Sequence, residues 1–357
     1  MAGLRQRLDG NARHKRECQV HLSIIVTSTI DTLERAVNPQ RQGAGPSEFA
    51  LQQPGIRWAG LQRGTSSGGE FGAGPLPAAE LKASGPGTTR CLDLLLLHGT
   101  AGSSHCWLPV IEQLAPDLCL LAPDLPGHGE TDCQRHRRHG LDDMADDLAS
   151  LLRALGYEEV RLIAGHSAGA AVALSLALGR PQGTGGAPIK VGRVLGVAPS
   201  LVPPPLLYTL LLGPALAPIV GSAPSVLTAT ALTRRTGLTD RLLDSTGSTI
   251  ASVQRERYRV LLAQAGHLKG AIDFMAATDL PGLLRRLPGL TVPAHFMIAP
   301  DDPWIPARRL EAEIGRWLPE AVLEYCAGGH LLPESQPDRT ALLMTQLLRN
   351  AGWGRSD

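Results

Sequence analysis

Val160-Arg-Leu-Ile-Ala-Gly-His-Ser-Ala-Gly-Ala-Ala171 is the stretch whose reading decides the fold. Val160 to Ala164 is a short apolar run that predicts a buried strand, and Ser167 to Leu178 is a small-residue helix. Between them, Gly165-His166-Ser167-Ala168-Gly169 matches G-x-S-x-G. Glycines at both ends of this motif admit a strained turn that lifts Ser167 off the sheet. The helix that follows points its free N–H groups at developing negative charge.

The same alternation extends outward in both directions. Leu92–Leu97 and Leu118–Ala122 read as buried strands, with a helical pattern from Cys106 to Leu114 and Ser104 available as its cap. Leu141, Met144, Leu148, Leu151, Leu152 and Leu155 have helical spacing, and Gly156 stops that helix. Downstream, strands are expected at Val191–Ala198, Val292–Ile298 and Ala321–Tyr325, with helices at Ala307–Leu318 and Thr340–Leu348. Upstream, Pro54-Gly55 between two short runs reads as a hairpin. The pattern is α/β: a mostly parallel central sheet with helices on both faces. It breaks once, over 200–285, where an inserted helical cap would sit above the carboxyl ends of the strands. The expected organisation is a disordered extension at 1–47, a core at 48–199 with a flexible loop at 64–90, the cap at 200–285 and the rest of the core at 286–357.

A serine nucleophile needs a base, and the base needs an orienting acid. His330, in Cys326-Ala-Gly-Gly-His330 after the last strand, supplies the base; His267, in the insertion, is its one rival. The acid should follow a strand between Ser167 and His330, and Ile298-Ala-Pro-Asp-Asp-Pro-Trp-Ile-Pro306 is the good site. Asp301 and Asp302 compete there, and the D-x-x-[IV]-P spacing to Pro306 favours Asp302. The other strand end offers only Pro199 and Ser200, with no carboxylate. An oxyanion hole needs two backbone donors, and Ala168 and Thr100 (in Leu97-His98-Gly99-Thr100) are placed to supply them. Three sites in the required order, each on a strand end, predict nucleophilic acyl transfer without a cofactor.

Composition narrows the alternatives. Lys+Arg number 34 against 33 Asp+Glu, which excludes a protein that neutralises many phosphates, so no nucleic-acid partner is expected. There is no GxxxxGK[ST], no HExxH and no CxxC among the 6 Cys, so no phosphate loop, metal or redox site is indicated, and a reducing, cytoplasmic setting is the default. Val194 to Thr233 carries no charge, but prolines from Pro199 to Pro224 break it too often for a spanning helix. Such an apolar segment suits a small hydrophobic substrate or peripheral contact with a membrane surface.

These motifs identify the chain as resembling the α/β-hydrolase superfamily. Within it, His98-Gly-Thr-Ala-Gly-Ser-Ser-His-Cys-Trp107, Ala122-Pro-Asp-Leu-Pro-Gly-His-Gly129 and Gly165-His-Ser-Ala-Gly-Ala-Ala171 resemble the magnesium chelatase accessory proteins of bacteriochlorophyll biosynthesis. Thr246-Gly-Ser248, Tyr258, His267, Gly270-Ala271, Met275-Ala276 and Asp279-Leu280 are similar to that family's cap. Three features depart from it: the Gly/Pro-rich loop at 64–87, the extension at 1–47, and Thr278 where a Trp is expected. The resemblance implies a role near magnesium insertion, with association to the chelatase and a tetrapyrrole or ester substrate. Tyr208, Tyr258, His267 and Met275 are the substrate-facing candidates of the cap. Ester or thioester cleavage fits a serine nucleophile best; C–C bond hydrolysis or perhydrolysis uses the same parts. A non-catalytic, tetrapyrrole-binding accessory protein is the contrasting reading.

Overall fold

The hairpin around Pro54-Gly55 opens the described chain. Strands β1 (Ser47–Gln53) and β2 (Ile56–Arg63) pair antiparallel, with Gln53 opposite Ile56. Proline fixes the first turn position and Gly55 takes the left-handed second one, at φ +81°. A computed structural model describes residues 45–64, 90–133, 140–179, 188–202 and 222–350. Residues 1–44 of the amino-terminal extension, nearly all of the 64–90 loop, and Tyr208 therefore lie outside the described residues, while Ser47, placed in the extension by sequence, opens β1.

After the hairpin the chain alternates. Strand β3 (Arg90–Leu97) leads through a 3-10 turn (Ser104–Trp107) into the short helix α1 (Leu108–Ile111). Strands β4 (Leu120–Pro123) and β5 (Asp132–Cys133) precede helix α2 (Leu141–Ala154). Then come β6 (Tyr157–His166), α3 (Ala168–Leu178), β7 (Lys190–Val191) and β8 (Val194–Val197). Five helices follow: α4 (Ala223–Thr236), α5 (Leu238–Asp244), α6 (Ser252–Leu262), α7 (Ala265–Ala277) and α8 (Leu280–Arg286). Strand β9 (Ala294–Ile298), helix α9 (Ala307–Trp317), strand β10 (Val322–Tyr325) and helices α10 (Leu332–Ser335) and α11 (Pro337–Arg349) complete the fold.

The sheet runs β1-β2-β4-β3-β6-β8-β9-β10. Every pairing from β4 to β10 is parallel, and β1 and β2 form an antiparallel edge. Period-two alternation divides its apolar residues between two cores. Leu95, Leu97, Ile163 and Phe296 pack under α2 and α3 on one face. Leu94, Leu96, Leu162 and Met297 pack under α1 and α11 on the other. Helix α3 is apolar all round, which suits an element enclosed on every side; its residues from Gly169 to Leu176 are buried.

Two local expectations need correction. The strand foreseen at Val191–Ala198 is split at Gly192-Arg193. There the Gly192 N–H bonds to the Val160 carbonyl, and a Cβ on Gly192 would lie 2.6 Å from the Arg161 carbonyl oxygen. Ser104 does not cap the next helical turn. Ser103 is the flanking residue and makes no side-chain cap bond, while the Ser104 N–H donates to Asp124 Oδ1 at 2.7 Å.

The helices between β8 and β9 dock tightly on the strand-end loops. A Cβ on Gly270 of α7 would lie 1.9 Å from the Gly127 carbonyl oxygen, so only glycine fits this crossing. Among the described residues, no helix is long and apolar enough to cross a membrane. Gly270→Ala should lower the urea midpoint, with a cost of about 1–3 kcal/mol from overpacking. Gly266→Ala, whose Cβ would enter open space in the same helix, should leave the midpoint equal or higher.

Candidate active site

Ser167 stands between β6 and α3 with φ +53° and ψ −119°, a conformation that side chains rarely adopt. Three glycines leave room for it. A Cβ on Gly165 would lie 2.3 Å from the Gly169 carbonyl oxygen, and one on Gly169 would lie 2.4 Å from that of Leu97. A Cβ on Gly99 would lie 2.9 Å from Ser167 Cβ. The loop that leaves β3 at Leu97–Gly99 thus abuts the serine directly, with Thr100 next in the chain.

The structure brings Ser167, His330 and Asp302 together. His330 Nε2 is 2.9 Å from Ser167 Oγ, and His330 Nδ1 is 2.7 Å from Asp302 Oδ2. All three residues are buried. An ionised Asp302 accepts only, so Nδ1 carries the ring proton and Nε2 is the acceptor facing the serine hydroxyl. Asp302 Oδ1 accepts from the N–H groups of Trp304 and Ile305 at 2.8 and 3.0 Å. Its neighbour Asp301 turns the other way and accepts from Gly328 and Gly329 N–H. Burial raises the Asp301 pKa, but these backbone hydrogen bonds outweigh it and the net shift is downward. Both acids therefore serve His330: one faces its ring, and the other pins the loop that carries it.

The His330 backbone is fixed at both ends. Its N–H donates to the Thr246 carbonyl at 2.9 Å, and its carbonyl accepts from His166 Nε2 at 2.8 Å. Burial and the nearby His330 push the His166 pKa down to about 3, so His166 stays a neutral donor. Ser248 brackets the same loop: its hydroxyl donates to the Gly328 carbonyl and accepts from Leu331 N–H, both at 2.8 Å. The Trp304 ring lies 5.2 Å from the His330 ring, centroid to centroid.

Residues 94–341 match the model of the alpha/beta hydrolase family. The chain belongs to the α/β-hydrolase family. It is 35% identical over 246 residues to the magnesium-chelatase 30 kDa subunit of Rhodobacter capsulatus, spanning 69% of this chain and 82% of that one. A shorter match, 39% over 89 residues, is to the dihydrolipoyllysine-residue acetyltransferase component of the acetoin cleaving system of Pseudomonas putida; it covers 25% of this chain and 24% of that protein. Among solved structures, a membrane phospholipase A superposes with a TM-score of 0.62 at 18% identity, covering 92% of each chain. A thermophilic esterase from Thermogutta terrifontis gives 0.59 at 20% identity, covering 87% of this chain and 100% of that one. At such identities these two likenesses speak for the α/β-hydrolase fold alone.

Within this α/β-hydrolase frame the other sequence candidates take different places. His267 does not reach the serine; both its ring nitrogens are engaged, one by the Gly129 N–H and one by the Ala101 carbonyl. The Tyr258 hydroxyl donates to Glu334 Oε2 at 2.8 Å, under a small apolar cluster of Leu243, Ile250 and Leu331. Met275 is half-buried on α7. Among the described residues, no three His, Cys, Asp or Glu side chains gather as a metal site.

Ser200 is the residue that sequence reasoning passed over. Its hydroxyl lies 2.9 Å from Ser167 Oγ, and its N–H donates to the Ser167 carbonyl at 3.1 Å. Since the Ser167 proton goes to His330, Ser200 is the donor of that pair. Ala198, at φ +44°, turns the chain back to bring it there.

Two predictions follow from this geometry. Asp302→Asn should lower kcat by about 10⁴-fold by favouring the wrong His330 tautomer, whereas Asp301→Asn should cost far less; steady-state kinetics on both variants decides. Burial raises the Glu334 pKa to about 8, with the Tyr258 hydrogen bond and Arg257 opposing. The folded state then holds a proton that the unfolded state releases, so this group's stabilisation is complete below pH 4.5 and fades as pH rises through about 8. Glu334→Gln should flatten that fall in melting temperature across the same window.

Proposed function

We propose that the chain is a cofactor-independent serine hydrolase that transfers an acyl group from an ester or thioester to water. The hydrogen-bonded line Ser167–His330–Asp302 carries this reading. Ser167 Oγ attacks the substrate carbonyl while its proton passes to His330 Nε2. Asp302 holds the imidazolium that forms. The oxyanion lies toward the N–H groups of Thr100 and Ala168; the latter is the first residue of α3, whose opening N–H groups have no acceptor within the helix. Collapse expels the alcohol or thiol, which takes the proton back from His330. Water then repeats the sequence on the acyl-enzyme and frees Ser167. A serine at the elbow, rather than an aspartate, separates this chemistry from epoxide opening.

The substrate class follows from the insertion. The composition of its apolar leading segment suits a small hydrophobic acyl or alkoxy group and contact with a membrane surface, and the helices between β8 and β9 would act as the cap. Similarity to the magnesium-chelatase 30 kDa subunit supports a place beside magnesium–tetrapyrrole synthesis, with association to a chelatase and a tetrapyrrole ester as candidate substrate. The same similarity favours a second reading, in which the protein binds a tetrapyrrole or the chelatase without catalysis.

A fluorophosphonate probe separates the two. The hydrolase reading expects labelling that Ser167→Ala abolishes and Asp302→Asn strongly slows. Folded protein that takes no label supports the accessory reading instead.

A further inference from the structure

The turn beside Ser167 is held from outside the sheet. Gly102 N–H bonds to the Gly99 carbonyl at 3.1 Å and closes a four-residue turn over Gly99-Thr100-Ala101-Gly102. Its third residue, Ala101, sits at φ +59°, a position that this kind of turn reserves for glycine. An alanine there is strained and needs the surroundings to hold it.

His267 supplies that hold. It is 3% exposed on α7 and bridges two loops. The Gly129 N–H donates to Nδ1 at 2.9 Å, so Nδ1 bears no proton. Nε2 then carries the proton and donates to the Ala101 carbonyl at 3.1 Å. Only the neutral form of this tautomer satisfies both contacts. Burial, the largest influence, holds the His267 pKa down at about 4, so the bridge stands at neutral pH. The ring cannot drift. His128 packs edge-on against it at 5.6 Å, and the Gly127–Gly270 crossing fixes α7 on the Asp124–Gly129 turn. Asp124 in turn ties that loop to Ser104 and Glu130 N–H.

We propose that His267 is a positioning residue for oxyanion binding: by holding the Ala101 carbonyl it keeps Gly99–Gly102 in the left-handed form that aims the Thr100 N–H at the substrate. The inference rests on the reading of Ser167 as nucleophile. It makes the chemistry conditional on the seating of α7, a helix that contributes no reacting group.

The test uses the full chain, a fluorophosphonate probe, 4-nitrophenyl butyrate and a phenylboronic acid that forms a tetrahedral serine adduct. His267→Met fills the space without a donor, and His267→Gln keeps a donor near the Nε2 position. His267→Met should slow labelling and kcat by about 10- to 100-fold with little change in KM, and weaken the boronic acid in parallel. His267→Gln should recover most of this loss. A double-mutant cycle adds Ala101→Gly, which removes the strain: His267→Met should then cost several-fold less than it does beside Ala101. Equal losses in both backgrounds, or a rise in KM alone, would overturn the proposal and leave His267 as a docking residue only. Wild-type protein that takes no probe would overturn the nucleophile reading instead. Should His267→Met fail to fold, the wild type still decides. Boronic acid binding should shift the His267 Nε2–H proton resonance, and an unmoved resonance counts against the proposal.

Discussion

The backbone of Ser167 cannot relax without dismantling its surroundings. At φ +53° its N–H is turned to the Val197 carbonyl, and its own carbonyl accepts from Ala170 and Ser200. One left-handed residue thereby ties together the ends of β6, β8 and the start of α3. Ala101 and Ala198 are strained in the same sense beside it. Each such residue costs on the order of 1–3 kcal/mol. They persist because the sheet beneath them is buried on both faces, and because glycines at 99, 165 and 169 let three backbones approach more closely than any Cβ allows.

The helical segment between β8 and β9 is bound into this arrangement. Thr246 and Ser248 hold the backbone of the His330 loop, and His267 holds the Gly99–Gly102 turn. Histidine recurs at these junctions for one chemical reason. A buried neutral imidazole offers one donor and one acceptor in fixed directions, so it joins two backbone groups that cannot meet directly. His98 does the same within the core, accepting from Leu125 N–H while its other nitrogen faces the Gly99 carbonyl.

Much of this was legible in the sequence, because periodicity and glycine placement are local. The strand–turn–helix at 160–178 and the hairpin at Pro54-Gly55 announce themselves within a dozen residues. Asp301 and Asp302 are less legible: they are adjacent and face opposite ways, and in the sequence only the distance to Pro306 tells them apart. Ser200 left no signal at all. It reaches Ser167 because Ala198 is left-handed, and alanine does not advertise that conformation as glycine would. The bridges made by His267 were equally hidden: they span the chain from 267 to 129 and 101, and each ends on a backbone atom that any residue type would supply.

The Thr246 carbonyl and the Ser248 hydroxyl have a consequence for how this chain can be altered. The acceptor for the His330 N–H belongs to the helical segment between β8 and β9. Replacing that segment as a whole would remove hydrogen-bond partners of the His330 loop. An exchange that keeps these bonds has to retain the Ser248 hydroxyl together with the Gly328–Leu331 loop, although about eighty residues separate them in the chain.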